Sequence, residues 1–404
     1  MKYIVVIPDG MGDKPVKALK GKTPLEAART PNMDFFASRG VVGLTQNIPD
    51  GYTPGTDIGS MSVFGYDPRK YFTGRGPLEA TVHGIELKPG DLAFRCNLVT
   101  TEGKRMKDFS ADHISIPEAG VLIEALDKAV QKKSKGRVRF YPGKGTGYRH
   151  LMIVKNAEAA LGKTVCAPPH DIMGQPFAKY LPKTKAARLL NELMEMSETL
   201  FKDHPVNRRR VDNGKGPATR VWLWGQGFAP KFPTYFKRYG FRGGVITAVD
   251  LLKGIAMHAG LDVIRVPGVT GYFDTNYVGK AEYAVNSLRS RDFVVIHVES
   301  TDEAGHIGDA KLKIKAIEDV DRWVLGTLRR SLREFSDYKL LLLPDHYTCV
   351  ETRTHSSDPV PFLMYSSAHK IKGPKKFCER SATKTGCVIK QGHHLMDIFV
   401  NGHA

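Results

Sequence analysis

Three apolar runs dominate the pattern along the chain: KYIVVIP near its start, DFVVIHV at Asp292–Val298 and YKLLLLP at Tyr338–Pro344. None alternates cleanly with polar residues, which is the signature of strands buried on both faces of a parallel sheet. Between them, PEAGVLIEALDKAVQKK, KAARLLNELMEMSETLFK and AKLKIKAIEDVDRWVLGTLRRSLREF repeat apolar residues every three or four positions. That period predicts amphipathic helices. Buried strands alternating with helices predict an α/β fold with a mainly parallel sheet flanked by helices.

The middle of the chain reads differently. From Gly76 to Lys215 it carries strands of its own in DLAFRCNLVT, RVRFYPG and HLMIVK, bracketed by the loop-rich YFTGRGPLEA and VDNGKGPATR. The expected organisation is a discontinuous core, residues 1–75 and 216–404, interrupted by a smaller inserted α/β domain over 76–215.

Composition narrows the function classes. A chain of 404 residues can bury a large core, and 41% hydrophobic with 25% charged residues argues against disorder. No apolar run approaches the ~20 residues of a membrane span, so no membrane partner is expected. The five cysteines (Cys96, Cys166, Cys349, Cys378, Cys387) form no CxxC pair. They predict a reducing, cytoplasmic setting rather than a disulfide or zinc scaffold. The net charge of +18 invites a nucleic-acid reading, but the basic clusters at Lys128–Arg139 and Asn207–Arg210 lack interleaved aromatics. The charge is better suited to drawing in a small phosphorylated anion.

Each of the three apolar runs ends in acid. The first gives Asp9 in IPDG, the second Asp302 and His306 in ESTDEAGH, the third Asp345 and His346 in LPDHYT; His355 follows in THSSDPVPF. Ligands gather outside the carboxyl ends of parallel strands, so these groups can converge although far apart in sequence. Asp302 and His306, four apart, point the same way from one helical turn. Three aspartates and three histidines offer mixed oxygen and nitrogen donors for divalent ions, enough for two. Taken singly, Asp9 also fits a turn before Gly10, Asp345 a cap, and His306 or His355 an ordinary loop position. Thr56, in GYTPGTDIGSMSVFGYDP, fits either a helix cap, as does Asp57, or a hydroxyl at a helix N-terminus where a phosphate is held.

Taken together and in this order, PDGMGD, TPNMDFFASRG, PGTDIGSMSVFGYDP, GRGPLEA, HPVNRRR, WLWGQG, DEAGHIGD and PDHYT resemble the cofactor-independent phosphoglycerate mutases of the archaeal type, within the alkaline phosphatase superfamily. The resemblance covers nearly the whole chain. It implies an alkaline phosphatase-like core holding two divalent metal ions (Mn²⁺ foremost, with Mg²⁺, Zn²⁺ or Co²⁺ as alternatives) and an inserted domain that contacts substrate. By motif match, Asp302, His306 and His355 would hold one ion; Asp9, Asp345, His346 and the Thr56 oxygen would hold the other. The family nucleophile falls on Thr56, where PGSD with serine is the usual look. Threonine keeps the hydroxyl, with χ1 restricted by its β-branch. Ser60 and Ser62, further along the same stretch, are the fallback hydroxyls.

In the insert, FRCN, KDFSADHIS, GYRH and NRRR resemble substrate-contact regions, which implies Arg95, His113, Arg149, His150 and Arg210. A planar guanidinium fork grips phosphate or carboxylate at two points, although the NRRR run also fits a solvated charged face. SADHIS departs from the usual SAGHIS by the carboxylate of Asp112. The implied activity interconverts 3-phosphoglycerate and 2-phosphoglycerate without 2,3-bisphosphoglycerate, through a phosphothreonine, with His113 as a base and water excluded by domain closure. Rival readings are a homoserine kinase-like phosphotransferase, a metal-dependent phosphatase or phosphodiesterase of the same superfamily, and a non-enzymatic binding protein.

Overall fold

A computed structural model describes residues 1–369 and 371–402. The chain divides into two compact units, one formed by Met1–Phe72 with the segment from Lys231 onward, the other by Thr73–Pro230. These edges differ from the 75/76 and 215/216 read from sequence. The larger difference has a plain cause. The strand Arg220–Phe228, assigned by sequence to the core, pairs along Leu92–Glu102 with Cys96 opposite Leu223 and Val99 opposite Arg220. It is therefore built into the insert's sheet.

In the first unit, Lys2–Pro8 lies near the middle of an eight-stranded sheet. Phe293–Val298 runs parallel on one side, with Val5 opposite Val295, and Tyr338–Leu342 runs parallel on the other, with Ile4 opposite Leu340. Gly243–Ile246 and Asp262–Val263 extend the parallel half. Within this sheet, the antiparallel ladders among the described residues are those that Val360–Ser366 makes with Tyr338–Leu342 and Gly40–Thr45. Ile4, Val6, Ile296 and Leu342 pack into a core with Ala281 and Leu288 of the helix Tyr277–Leu288, while Val5, Val295 and Leu341, pointing the other way, are equally buried. Burial on both faces is what made these runs read as continuously apolar. Because the three strands are adjacent and parallel, their carboxyl ends lie together on one side of the sheet.

The long helical stretch from Ala310 is not uniform. An α-helix over Ala310–Asp319 widens into a π-helical turn at Val320–Leu325 before Gly326–Ser331. The Asp321 carboxylate in that turn accepts the backbone N–H groups of Met33 (2.7 Å) and Asn32 (3.0 Å), satisfying the start of the helix Pro31–Ala37.

The second unit is built on an antiparallel sheet. Leu92–Glu102 carries Arg149–Val154 on one edge and Arg220–Phe228 on the other. One face packs against the helices Ile116–Ser134 and Arg188–Phe201. On the other, Ala93, Leu151 and Ile153 pack against Ala80 of the helix Arg75–Val82. No helix among the described residues is long and apolar enough to cross a membrane.

Candidate functional site

Asp9 leaves the first strand into a turn at Gly10, whose φ is +58°. A Cβ at Gly10 would lie 2.3 Å from Thr348 Oγ1 and 2.5 Å from Asp302 Oδ1, so only glycine lets the acid-bearing loops approach this closely. Asp302 and His306 sit one turn apart on the helix Ser300–Ile307, with His306 Nε2 3.2 Å from Asp302 Oδ2. Asp345 and His346 follow the third strand. His355 lies on a hairpin strand, Thr354–Ser356, directly opposite Thr348.

The side chains converge. His346 Nε2 is 3.4 Å from Asp9 Oδ1 and 3.6 Å from Asp345 Oδ2. His355 Nε2 is 3.1 Å from His306 Nε2 and 3.6 Å from Asp302 Oδ1. Donor atoms about 2.1 Å from a common ion lie about 3–3.4 Å from one another, so this crowding suits ligands of shared ions. Two overlapping groups are close enough to hold one: Asp302 with His346 and His355, and Asp9 with Asp345 and His346.

The histidine tautomers follow from their outer partners. Nδ1 of His346 faces the carbonyl of Tyr347 at 3.2 Å, Nδ1 of His306 that of Arg353 at 3.1 Å, and Nδ1 of His355 that of Pro54 at 3.3 Å. A carbonyl only accepts, so each Nδ1 carries a proton, which leaves each Nε2 facing inward, a hydrogen-bond donor to the aspartates when protonated and a ligand once that proton is lost. Burial, then the charges of Asp345 and Asp302, push Asp9 well above the usual carboxylate range. Burial also acts on Asp302, but hydrogen bonds from His306 and His355 outweigh it and hold that carboxyl well below the ordinary value. The bond to Asp302 raises His306 to about 9, and burial pulls His346 down. Asp9 Oδ1 is buried and receives no hydrogen bond. Three converging carboxylates, one oxygen of them orphaned, and inward-facing Nε2 atoms fit divalent ions.

Thr56 opens the helix Thr56–Val63, whose N-cap is Gly55. The cap alternative therefore falls to neither Thr56 nor Asp57. Thr56 Oγ1 instead lies 3.3 Å from His346 Nε2 and 3.5 Å from Asp9 Oδ2. The fallback hydroxyls are spoken for: Ser60 Oγ donates to Asp345 Oδ2 at 3.2 Å, and Ser62 Oγ to the carbonyl of Asn47 at 2.5 Å.

Two sets of residues were missed from sequence. Thr348 Oγ1 donates to Asp302 Oδ1 and lies 3.3 Å from His346 Nδ1. Behind Asp9 stands His297, with Glu299, Thr247 and Lys280 bonded to it. The only sequence signal for this second set is a histidine inside an apolar strand and a glutamate just past its end.

In the second unit, Arg95 is opposite Leu151 and Asn97 is opposite Arg149, whereas His150 is opposite Cys96. Side chains alternate along strands, so Arg95 and Arg149 share one sheet face and His150 points to the other. His150 is buried, its Nδ1 accepts the N–H of Gly143 at 2.9 Å, and burial pulls its pKa down to about 3. It is a neutral core histidine, not part of the arginine face. Arg95 is buried against Glu79, with its guanidinium 4.8 Å from the centre of the Trp224 ring; Arg75 lies over the same ring at 5.8 Å. Burial lowers the Arg95 pKa, Glu79 opposes, and Arg149 and Arg75 lower it further. Guanidiniums gathered closely enough to sense one another suit an anion.

Arg210 plays another part. It is 1% exposed and donates to the carbonyls of Gly216 (3.0 Å) and Ala111 (2.8 Å) and to Glu118 (2.8 Å). It thereby pins the stretch Ala111–His113, whose three residues all have positive φ, a strained run for side chains bearing Cβ. Asp112, unexplained from sequence, accepts the N–H of Gly216 at 2.9 Å and braces the same turn. His113 is exposed, its ring 6.4 Å from that of Tyr148.

A family model described as 2,3-bisphosphoglycerate-independent phosphoglycerate mutase matches residues 37–207. Among curated relatives, proteins of that name from Methanosarcina mazei and Methanosarcina acetivorans are 50% and 48% identical over 402 residues, 99% of this chain and all of theirs. Among solved structures, a protein from Pyrococcus horikoshii matches with TM-score 0.82 and 33% identity, over 100% of this chain and 98% of its own. A cofactor-independent phosphoglycerate mutase from Thermoplasma acidophilum matches with TM-score 0.67 and 28% identity, over 99% of each chain.

Proposed function

The chain belongs to the family of 2,3-bisphosphoglycerate-independent phosphoglycerate mutases, and from that premise we propose that it interconverts 3-phosphoglycerate and 2-phosphoglycerate with Thr56 as the transient phosphoryl acceptor. Asp302, His306 and His355 would hold one divalent ion, and Asp9, Asp345, His346 and Thr56 the other. Bound there, such ions neutralise charge on phosphoryl oxygens and lower the cost of ionising a hydroxyl.

The chain's own groups account for the remaining chemistry. Thr56 stands at the start of its helix, where backbone N–H groups and the helix dipole favour a phosphate. Its hydroxyl gives up its proton as its oxygen forms a bond to phosphorus, the bond to the 3-oxygen of the substrate breaks, and that oxygen takes up a proton. In the second half, the 2-hydroxyl gives a proton to a base, for which we assign His113, its oxygen takes the phosphoryl group, and the Thr56 oxygen regains a proton. Between the two halves the glycerate must be retained, and the Arg75–Arg95–Arg149 cluster is the grip we assign for its carboxylate. The five unpaired cysteines accord with placement in the cytoplasm.

The observation that carries this reading is that three histidines, each bonded through Nδ1 to a main-chain carbonyl, turn their Nε2 atoms toward three converging aspartates. The test is to supply purified protein with Mn²⁺ and 3-phosphoglycerate, without 2,3-bisphosphoglycerate, and to follow 2-phosphoglycerate through enolase. Isomerisation abolished by EDTA is expected. Release of inorganic phosphate alone, or product formed only with ATP and homoserine, would overturn the proposal.

A further inference from the structure

His297 occupies a strand position between apolar neighbours, yet every polar atom of its ring is engaged. Nε2 lies 3.1 Å from Asp9 Oδ2; Nδ1 lies 3.0 Å from Glu299 Oε1 and 3.0 Å from Thr247 Oγ1. Thr247 also donates to Glu299 Oε1 at 3.2 Å, and Lys280 Nζ reaches Glu299 Oε2 at 3.1 Å and the His297 carbonyl at 2.6 Å. All four side chains are buried. A buried network of this kind is costly unless it serves a purpose that an apolar residue cannot.

The geometry identifies that purpose. Both ring nitrogens of His297 face carboxylates, which only accept, so both donate. Nε2 ties Asp9 Oδ2, while Asp9 Oδ1 is left buried with no hydrogen bond. The carboxylate is thus fixed in one rotation, with one oxygen committed to the protein and the other free for an ion. We propose that His297, anchored by Glu299, Thr247 and Lys280, is a positioning residue that sets Asp9 so that only Oδ1 is offered to the ion of the Asp9–Asp345–His346 group. This inference rests on the metal reading given above.

Two substitutions separate positioning from a purely structural role. The amide of His297→Gln extends to where Nε2 lies and keeps the donor to Asp9; that of His297→Asn reaches only as far as Nδ1 and keeps Glu299 but loses Asp9. Mn²⁺ binding to metal-stripped protein is followed by the electron paramagnetic resonance of free Mn²⁺, with no substrate present. Wild type is expected to show two classes of site. His297→Asn should weaken one class about tenfold or more, the usual cost of losing an outer-sphere partner, and leave the other within about twofold. His297→Gln should hold both near wild type. If Asn and Gln behave alike, or both classes move together, the inference is overturned. If neither variant folds, Thr247→Val, nearly isosteric, should weaken the same single class a few-fold, and unchanged binding there overturns it equally. A wild-type protein that binds no Mn²⁺ would sink the metal reading itself, an outcome distinct from Asn and Gln behaving alike in a protein whose wild type binds two ions.

Discussion

The Nε2 atoms of His306 and His355 lie 3.1 Å apart, although both rings already spend their Nδ1 protons on main-chain carbonyls. Two lone pairs at that distance repel unless a proton or a cation lies between them. The neighbouring Asp302 supplies the negative charge that makes either welcome. Replacing the proton by a divalent ion releases it, so metal affinity at this pair should fall as pH is lowered. His306→Ala is therefore expected to reduce bound Mn²⁺ from two equivalents toward one. Turnover should fall by more than the roughly 10–100-fold typical of outer-sphere changes. Mn²⁺ stoichiometry measured beside enolase-coupled activity checks this; two full equivalents in the variant would refute the ligand role.

Thr56 is the first residue of its helix and not its cap, so trimming it should not cost the ~1 kcal/mol of a lost cap. Thr56→Ala should fold with near wild-type thermal stability and lose at least about a thousandfold in turnover, as nucleophile removals do. Thr56→Ser should restore it. Acid quenching with phosphate-labelled substrate should leave label on residue 56 in wild type and Thr56→Ser but not in Thr56→Ala. A fully active alanine variant would remove the nucleophile assignment.

The parts of the site legible in sequence were those that sit at ends. Asp9 and Asp345 each directly follow an apolar run and Asp302 comes within one turn of the end of another, and parallel strands bring their ends together without further information. What lies inside strands was not legible. His297 looks like a flaw in a buried run that Glu299 just follows, and only the three-dimensional neighbourhood reveals Lys280 and Thr247 as their partners. The NRRR run could not distinguish a solvated arginine from Arg210, a buried pin. Apolar runs do not encode direction either, so the antiparallel ladders of the insert, and the return strand Arg220–Phe228 that joins them, stayed hidden.

Within the arginine cluster the two central residues should respond differently. Arg95 is buried against the Glu79 carboxylate, so removing it strands a charge and is expected to cost about 3–5 kcal/mol of stability. No carboxylate pairs with Arg149 among the described residues, and its Nε is buried without a hydrogen bond. Arg149→Ala should therefore leave the melting temperature nearly unchanged while raising KM for 3-phosphoglycerate about tenfold or more, the loss of one charge-assisted contact. Mn²⁺ binding should not move. A KM equal to wild type would take Arg149 out of the substrate grip.

Glu379 carries a pH dependence away from the metal site. Its carboxylate accepts the Asp13 N–H at 3.2 Å and the Thr23 hydroxyl at 2.6 Å, but burial outweighs these bonds and the nearby charge of Lys313, and raises its pKa to about 7. An acid whose pKa is higher in the folded than in the unfolded protein binds its proton more tightly when folded. It therefore contributes no penalty below the unfolded value, near 4.5, and a growing one as pH rises from there to 7, complete above 7. The span corresponds to about 3 kcal/mol. Glu379→Gln, which cannot ionise, should lack this loss. The stability difference between variant and wild type, from urea unfolding at pH 5 and pH 8, should thus shift in favour of the variant by a few kcal/mol at the higher pH. A difference that stays constant across that interval would show that the ionised carboxylate is accommodated without cost, helped by the nearby charge of Lys313.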